Sequence, residues 1–217
     1  ADYAIARHHP EAAKADNPYL AFMLSVAEVQ ARLVSHWMSI GFIHGVMNTD
    51  NVTISGETID YGPCAFMDAY SPGTVFSSID TQGRYAYGNQ PAIMAWNLAR
   101  LAEALIPLVD EDRDKAVEVL TEMINTVPDD YEEKSIARMR AKLGLATAAD
   151  DDVELVNELL TAMEQGNADF TMTFRRLSDA VRGNAIPVQG QFDGLQGINT
   201  WLDRWRGRLA QEDIAPE

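Results

Sequence analysis

From Gly41 to Gln90 the helical periodicity that governs the rest of this chain stops, so the fold must be helices built around one irregular insertion. Upstream, Asn17 suits a helix cap and Pro18 the first helical position. Leu20, Leu24, Ala27, Ala31, Val34 and Met38 then recur at three- and four-residue steps, which makes one apolar face over 17–42, with Gly41 as its stop. Downstream, Pro91 opens a strongly apolar helix through Ile93, Trp96, Leu98, Leu101 and Leu105 that is expected to end near Pro107. Further helices are expected over 112–125, from Pro128 to about Leu143, and over 150–165, 168–182 and 199–211, with "GNAIPVQGQFDG" as a loop. No internal repeat or low-complexity tract divides the chain.

The insertion begins "GFIHGVMNTDNVTISGETIDYGP". Val52, Thr53 and Ile54 favour a strand, as do Thr58 and Ile59, and Ser55-Gly56-Glu57 between them reads as the turn of a short hairpin. Folding it would bring Asp50 and Asn51, before the first strand, beside Asp60 at the end of the second. Two readings fit that gathering. Asp and Asn favour turns because their side chains bond the local backbone. Equally, a carboxylate and an amide oxygen could hold Mg²⁺, a hard cation that takes one or two protein oxygens plus phosphates and water. A second carboxylate could then act as a base toward a hydroxyl. Beyond Gly62 the sequence is rich in Gly, Ser, Pro and Tyr and lacks periodicity, and unstructured loops of this length usually serve a function.

With 33 acidic and 17 basic residues among 217, the chain carries a formal charge of -16. That argues against nucleic acid and against an anionic membrane surface, both of which need clustered Lys and Arg. No membrane partner is expected, since no run of about 18 or more apolar residues stands out. Cys64 is the single cysteine, so an internal disulfide scaffold is excluded. The N-terminus lacks the apolar stretch of a signal peptide and an initiator Met. A soluble, reducing compartment is the default, cytoplasmic in a bacterium or mitochondrial in a eukaryote.

His44 and Asn51 are seven apart, the spacing of the protein-kinase H-R-D-x-x-x-x-N loop, and Asp60-Tyr61-Gly62 stands where D-F-G would follow. The kinase base is missing, because Val46 occupies its place, whereas Asp50 immediately precedes Asn51. The strings "HGVMNTDN" and "TIDYGPCAFMDAY", followed by "QGRYAYGNQPAIMAWNLARLAEAL", closely resemble the selenoprotein O family, whose bacterial members are called YdiU. These are pseudokinases that transfer AMP from ATP to protein hydroxyls. The resemblance is strong to about Pro107 and looser through the helical tail. It implies a mainly α fold, a protein-kinase-like C-lobe with one small β-hairpin carrying the metal-site residues. It implies one unit over 1–217, a catalytic-loop core at 1–110 and a helical extension at 111–217, with N-lobe and C-terminal tail absent.

Carried over residue by residue, the resemblance makes Asp50 the catalytic base, Asn51 a metal ligand, and Asp60 a second metal ligand that also lies against the nucleotide. The metal would be Mg²⁺ or Mn²⁺, the substrates ATP and proteins modified on Ser, Thr or Tyr. In this family ATP is described as inverted relative to kinases, which exposes the α-phosphate. The family's phosphate-binding arginines lie upstream of the matching region. Neither a phosphate-covering loop nor a strand lysine is found here; Lys14, Lys115, Lys134 and Lys142 all fall in polar or helical sequence. The isolated chain is therefore expected to fold without being active. A non-catalytic pseudokinase module that binds protein partners through the 62–90 loop is the alternative, and a conventional kinase is disfavoured by Val46.

The remaining candidates read as structural. His8, His9 and His36 show no zinc spacing, and His44 is expected to brace the loop. Trp96, Trp201 and Trp205 are expected in the core, and Asp150 to Asp152 at a helix start rather than in a calcium loop. Cys64 is either a small buried hydrophobe or, by the resemblance, half of a redox pair whose partner would lie in the missing tail.

Overall fold

The computed structural model describes residues 1–212. Eight helices occur among them: α1 (Asp2–His8), α2 (Pro18–Ile40), α3 (Gln90–Val109), α4 (Arg113–Lys142), α5 (Asp152–Gln165), α6 (Phe170–Val181), α7 (Ile186–Gln189) and α8 (Gln196–Leu209). The described strands are two short ones, β1 (Phe42–Ile43) and β2 (Ala65–Phe66), which pair antiparallel. Short 3-10 turns lie at Pro10–Lys14, Thr49–Asn51 and Tyr87–Asn89.

The ends of α2 follow its sequence. The Asn17 side chain accepts from Leu20 N at 3.1 Å and caps the helix, with Pro18 in the first turn. Its buried face is rotated from the expected one. Met23, Val26, Ala27, Ala31, Val34 and Trp37 point inward, while Leu24 is 49% exposed. Gln30 and Ser35 share the buried face, and an apolar-only count misses them. Gly41 ends the helix in the left-handed conformation, φ 71°. A Cβ there would sit 2.8 Å from the Phe170 ring. Gly41→Ala is therefore expected to destabilise the fold by roughly 1–2 kcal/mol of introduced left-handed strain plus the cost of moving that ring, read as a lowered urea midpoint.

Two prolines that were expected to bound helices lie inside them. Pro107 sits within α3, and Pro128 sits within α4, which runs unbroken for 30 residues where two helices were anticipated. Packing accounts for this: α2, α3 and α4 pack on one another, and α4 buries Leu120, Met123 and Val127 just ahead of Pro128. Asp112 caps α4, accepting from Asp114 N at 3.0 Å. The stretch Tyr87–Val109 is long and apolar enough to cross a membrane, contrary to the sequence expectation. It carries Arg100 and Glu103 and contributes Ile93, Met94, Leu98, Ala102 and Leu105 to the core with α2 and α4.

The buried side chains form two clusters. One gathers α1, α2, α3 and the first half of α4; the other gathers β1, the end of α4 and α5 to α8. Trp201 and Trp205 stack at 5.5 Å inside the second, as expected. Trp96 does not join a core and is 40% exposed. The acidic run at 150–152 does open a helix, but Asp152 is buried rather than solvated. It accepts from Arg208 Nε at 2.9 Å and from Ala149 N at 2.9 Å. Arg208 also donates to Glu212 at 2.7 Å and to Thr147 O at 2.8 Å. The "GNAIPVQGQFDG" segment contains the single-turn α7.

Lys142 joins the two clusters. Its ammonium donates to Ser39 O at the end of α2 and lies 3.7 Å from the Phe174 ring centre and 4.6 Å from that of Phe170. Burial pulls it down to about 8, against two ring faces that favour the charge. The unfolded chain keeps that proton to about 10.5, so between these values it binds more protons than the native state and stability rises with pH. Tyr70, raised to about 12 by burial, and Tyr87, raised well above its ordinary value for the same reason, act oppositely. Their contribution is lost as pH climbs past about 10. The urea midpoint is expected to rise from pH 7.5 to 9.5 and to do so less in Lys142→Met. An equal rise in the variant would remove Lys142 as the cause.

Candidate functional site

The chain from β1 to β2 is a loop held from beneath by polar side chains of α2 and α3. His44 is fully buried; its Nε2–H donates to Ile59 O at 2.7 Å and its Nδ1 accepts weakly from Val46 N at 3.4 Å. Both ring nitrogens are thus engaged within the loop, the bracing role expected of it. Gln90, at the start of α3, accepts from His44 N at 2.9 Å and donates to Phe42 O at 3.0 Å. Asn97, two turns on, donates to Met47 O at 2.9 Å. These two residues satisfy backbone groups of Phe42, His44 and Met47, in and just after β1, as burial requires.

The expected hairpin is present only as a single antiparallel bridge, Val52 to Thr58, and the two-stranded sheet lies to either side of it as β1 and β2. Side chains replace the missing ladder. Thr53 Oγ1 donates to Glu57 O at 2.8 Å and accepts from Glu57 N at 3.1 Å, and Gln30 Nε2 donates to Thr53 O. Trp37 Nε1 donates to Thr58 Oγ1 at 3.0 Å, and His9 Nε2 donates to Ile54 O at 2.7 Å. Gly56 turns at φ 74°, where a Cβ would lie 2.7 Å from Val29.

The bridge is antiparallel, so Asn51 and Ile59 leave it at the same end. Asp50 and Asp60 are the next residues outward, and both are exposed. Asp50 lies in the 3-10 turn Thr49–Asn51. Asp60 holds φ 53°, a left-handed conformation that non-glycine residues seldom adopt and that Asp tolerates better than most. Neither carboxylate makes an ion pair or hydrogen bond among the described residues. Asn51 is half-buried, and its Nδ2 donates to Val46 O at 3.2 Å, which leaves Oδ1 facing no donor among the described residues.

That donor set suits one kind of cation. No group of three or more His, Cys, Asp or Glu able to hold a metal occurs among the described residues. An amide oxygen and a carboxylate oxygen fit Mg²⁺ or Mn²⁺, whose other ligands would be phosphate and water. Cys64 is half-buried, its Sγ 3.2 Å from Tyr61 O.

The loop at 62–90 is tied down along its length. Asp80 accepts from Arg84 N at 2.9 Å and Tyr85 N at 2.8 Å, Gly88 N donates to Pro72 O at 2.8 Å, and Tyr70 N donates to Ala168 O at 2.8 Å. Tyr85 OH donates to Asn48 Oδ1, which fastens this loop to the residue before the Asp50 turn. Gln90, Asn97 and Tyr85 were not singled out by sequence. The available signal was a pair of amides on the buried face of an otherwise apolar helix.

The family profile described as Protein adenylyltransferase SelO matches residues 1–213. The chain belongs to the SelO family. Among curated SelO-family relatives, the Protein nucleotidyltransferase YdiU of Cereibacter sphaeroides is 59% identical over 98% of this chain and 44% of its own length. The protein of the same name in Rhodopseudomonas palustris is 53% identical, covering 98% and 44%. That of Agrobacterium fabrum is 51% identical, covering 99% and 44%. The chain thus spans less than half the length of these relatives.

Proposed function

We propose that this chain is the kinase-C-lobe-like portion of a protein adenylyltransferase that moves AMP from ATP to a Ser, Thr or Tyr hydroxyl of another protein. The observation that most supports the reading is the orientation of Asn51. Its amide nitrogen is committed to Val46 O, so its oxygen is left as a ligand at the end of the bridge that also carries Asp60. Asn51 and Asp60 would hold Mg²⁺ or Mn²⁺, which when bound supplies positive charge to the phosphates.

Asp50 serves as the base. It sits beside Asn51 on the turn, exposed and uncommitted, and can take the proton of an incoming hydroxyl. The hydroxyl oxygen forms a bond to the α-phosphorus. The bond from that phosphorus to the oxygen bridging to the β-phosphate breaks, and pyrophosphate leaves with the electron pair. His44, Gln90 and Asn97 hold the loop so that Asp50 and Asp60 keep their places.

The phosphates need a cradle, and none of the described segments supplies a glycine-rich phosphate loop; the 217 residues alone are therefore expected to be folded and inactive. Full-length protein given ATP labelled separately at the α- and γ-phosphates tests the activity. Transfer of α-label alone supports it. Transfer of γ-label would make it a kinase, and transfer of neither would make it a binding module.

A further inference from the structure

We propose that the face made by Arg84, Tyr85, Trp96 and Arg100 docks an acidic side chain of the protein that receives the nucleotide, beside the loop carrying Asp50; this rests on the adenylyltransferase reading. The Arg84 guanidinium lies 4.8 Å from the Trp96 ring centre and 5.7 Å from that of Tyr85. Arg100 approaches Trp96 from its own helix at 5.4 Å. Trp37, Trp201 and Trp205 are at most 5% exposed, whereas Trp96 is 40% exposed, so this ring is held at the surface under two cations.

The two arginines differ in what they still have to offer. Arg100 is shared with Glu103 at 2.7 Å. Arg84 is exposed, and its guanidinium makes no ion pair or hydrogen bond among the described residues. The nearby Asp80 does not engage it through the side chain; its carboxylate is taken by the backbone N–H groups of Arg84 and Tyr85. Stacking on a ring holds a guanidinium flat at low entropic cost and leaves its N–H edge outward, the edge that pairs with a carboxylate in bidentate fashion. In a chain with 33 acidic and 17 basic residues, an acidic segment is repelled by most of the surface. It gains where a guanidinium is uncommitted.

Position ties this face to the site. Tyr85 OH donates to Asn48 Oδ1, and Asp50 is two residues further on. A cleft of about 310 Å³, lined by Thr49, Val52, Ile54, Leu98 and Leu101, adjoins this face through Arg100, which lines it as well. A segment reaching the Asp50 turn across this face would meet the Arg84 cation and, past Arg100, an apolar cleft. The substrate fitted by both is a hydroxyl residue with an acidic neighbour and an apolar neighbour.

The test uses the full-length protein and a labelled peptide carrying one serine flanked by Glu and Leu, with a twin in which Lys replaces Glu. Anisotropy without nucleotide is expected to show at least tenfold tighter binding of the acidic peptide. Arg84→Glu should remove that preference and Arg84→Gln should weaken it; both changes are at an exposed side chain. In parallel transfer assays the same variants should raise KM with kcat little changed. Unchanged acidic-peptide affinity in Arg84→Glu overturns the proposal, as does equal binding of the two peptides. Arg84-dependent binding without any transfer would sink the adenylyltransferase reading and leave the docking face standing. Transfer indifferent to Arg84 would do the reverse.

Discussion

Alanine at Asp60 in the full-length protein is expected to abolish both metal-dependent nucleotide binding and AMP transfer. The carboxylate is exposed and makes no ion pair or hydrogen bond among the described residues, so on the proposed assignment its removal takes away a charged ligand, with only the small added strain of Ala at φ 53° set against the fold. Asn51→Ala should weaken binding less, since only an uncharged oxygen is lost. Asp50→Ala should leave nucleotide affinity largely intact and slow turnover on the order of 10²–10⁴-fold, the range for a general base. Calorimetry with a non-hydrolysable ATP analogue and Mg²⁺, run beside transfer kinetics, separates the three. Should Asp50→Ala lose affinity as fully as Asp60→Ala, Asp50 is a ligand and the base lies elsewhere.

The largest effect on stability is expected from Arg208→Ala. The side chains of Arg208, Asp152 and Glu212 are 4%, 1% and 2% exposed, and Arg208 is the donor that joins the two carboxylates. Removing it leaves Asp152 buried with only Ala149 N–H and a 3.9 Å approach from Arg140. Breaking a buried pair from one side costs on the order of 3 kcal/mol. Equilibrium urea unfolding measures it. Adding Asp152→Asn to Arg208→Met removes charge from both sides of the Arg208–Asp152 contact, while Glu212 keeps its Ala146 and Thr147 donors, and should be more stable than Arg208→Met alone. If the double variant is no more stable than Arg208→Met, the charge left on Asp152 is not the cause.

The helices were legible because their caps and breaks are local chemistry: Asn17, Gly41 and Asp112 act where the sequence puts them. Pro107 and Pro128 misled because packing on both sides of a proline outweighs one missing N–H. The hairpin was legible as a reversal but not as strands, since Thr53 and Gln30 take the backbone groups a ladder would use. Asp50, Asn51 and Asp60 could be placed at one end of that reversal from sequence, because an antiparallel turn brings its two ends together whatever bonds it makes. The supports could not. Gln90 and Asn97 reach the loop across more than forty residues, and no local pattern marks such a pair. Trp96 was misplaced because helical spacing alone does not tell a core face from one overlain by Arg84.

The course of α4 has a consequence for how this chain can be inherited. Its first half closes one cluster of side chains and its last residues close the other, while Lys142 at its end reaches back to α2. A recombination event that joined the front of one family member to the back of another near Pro128 would separate Tyr131 from the cluster it packs on, and would part Lys134 and Arg138 from Glu28 and Ser35 of α2. The two clusters are therefore not exchangeable modules. Sequence drift on one side of α4 is expected to constrain what is tolerated on the other, through one shared rod rather than through any contact at the loop carrying Asp50.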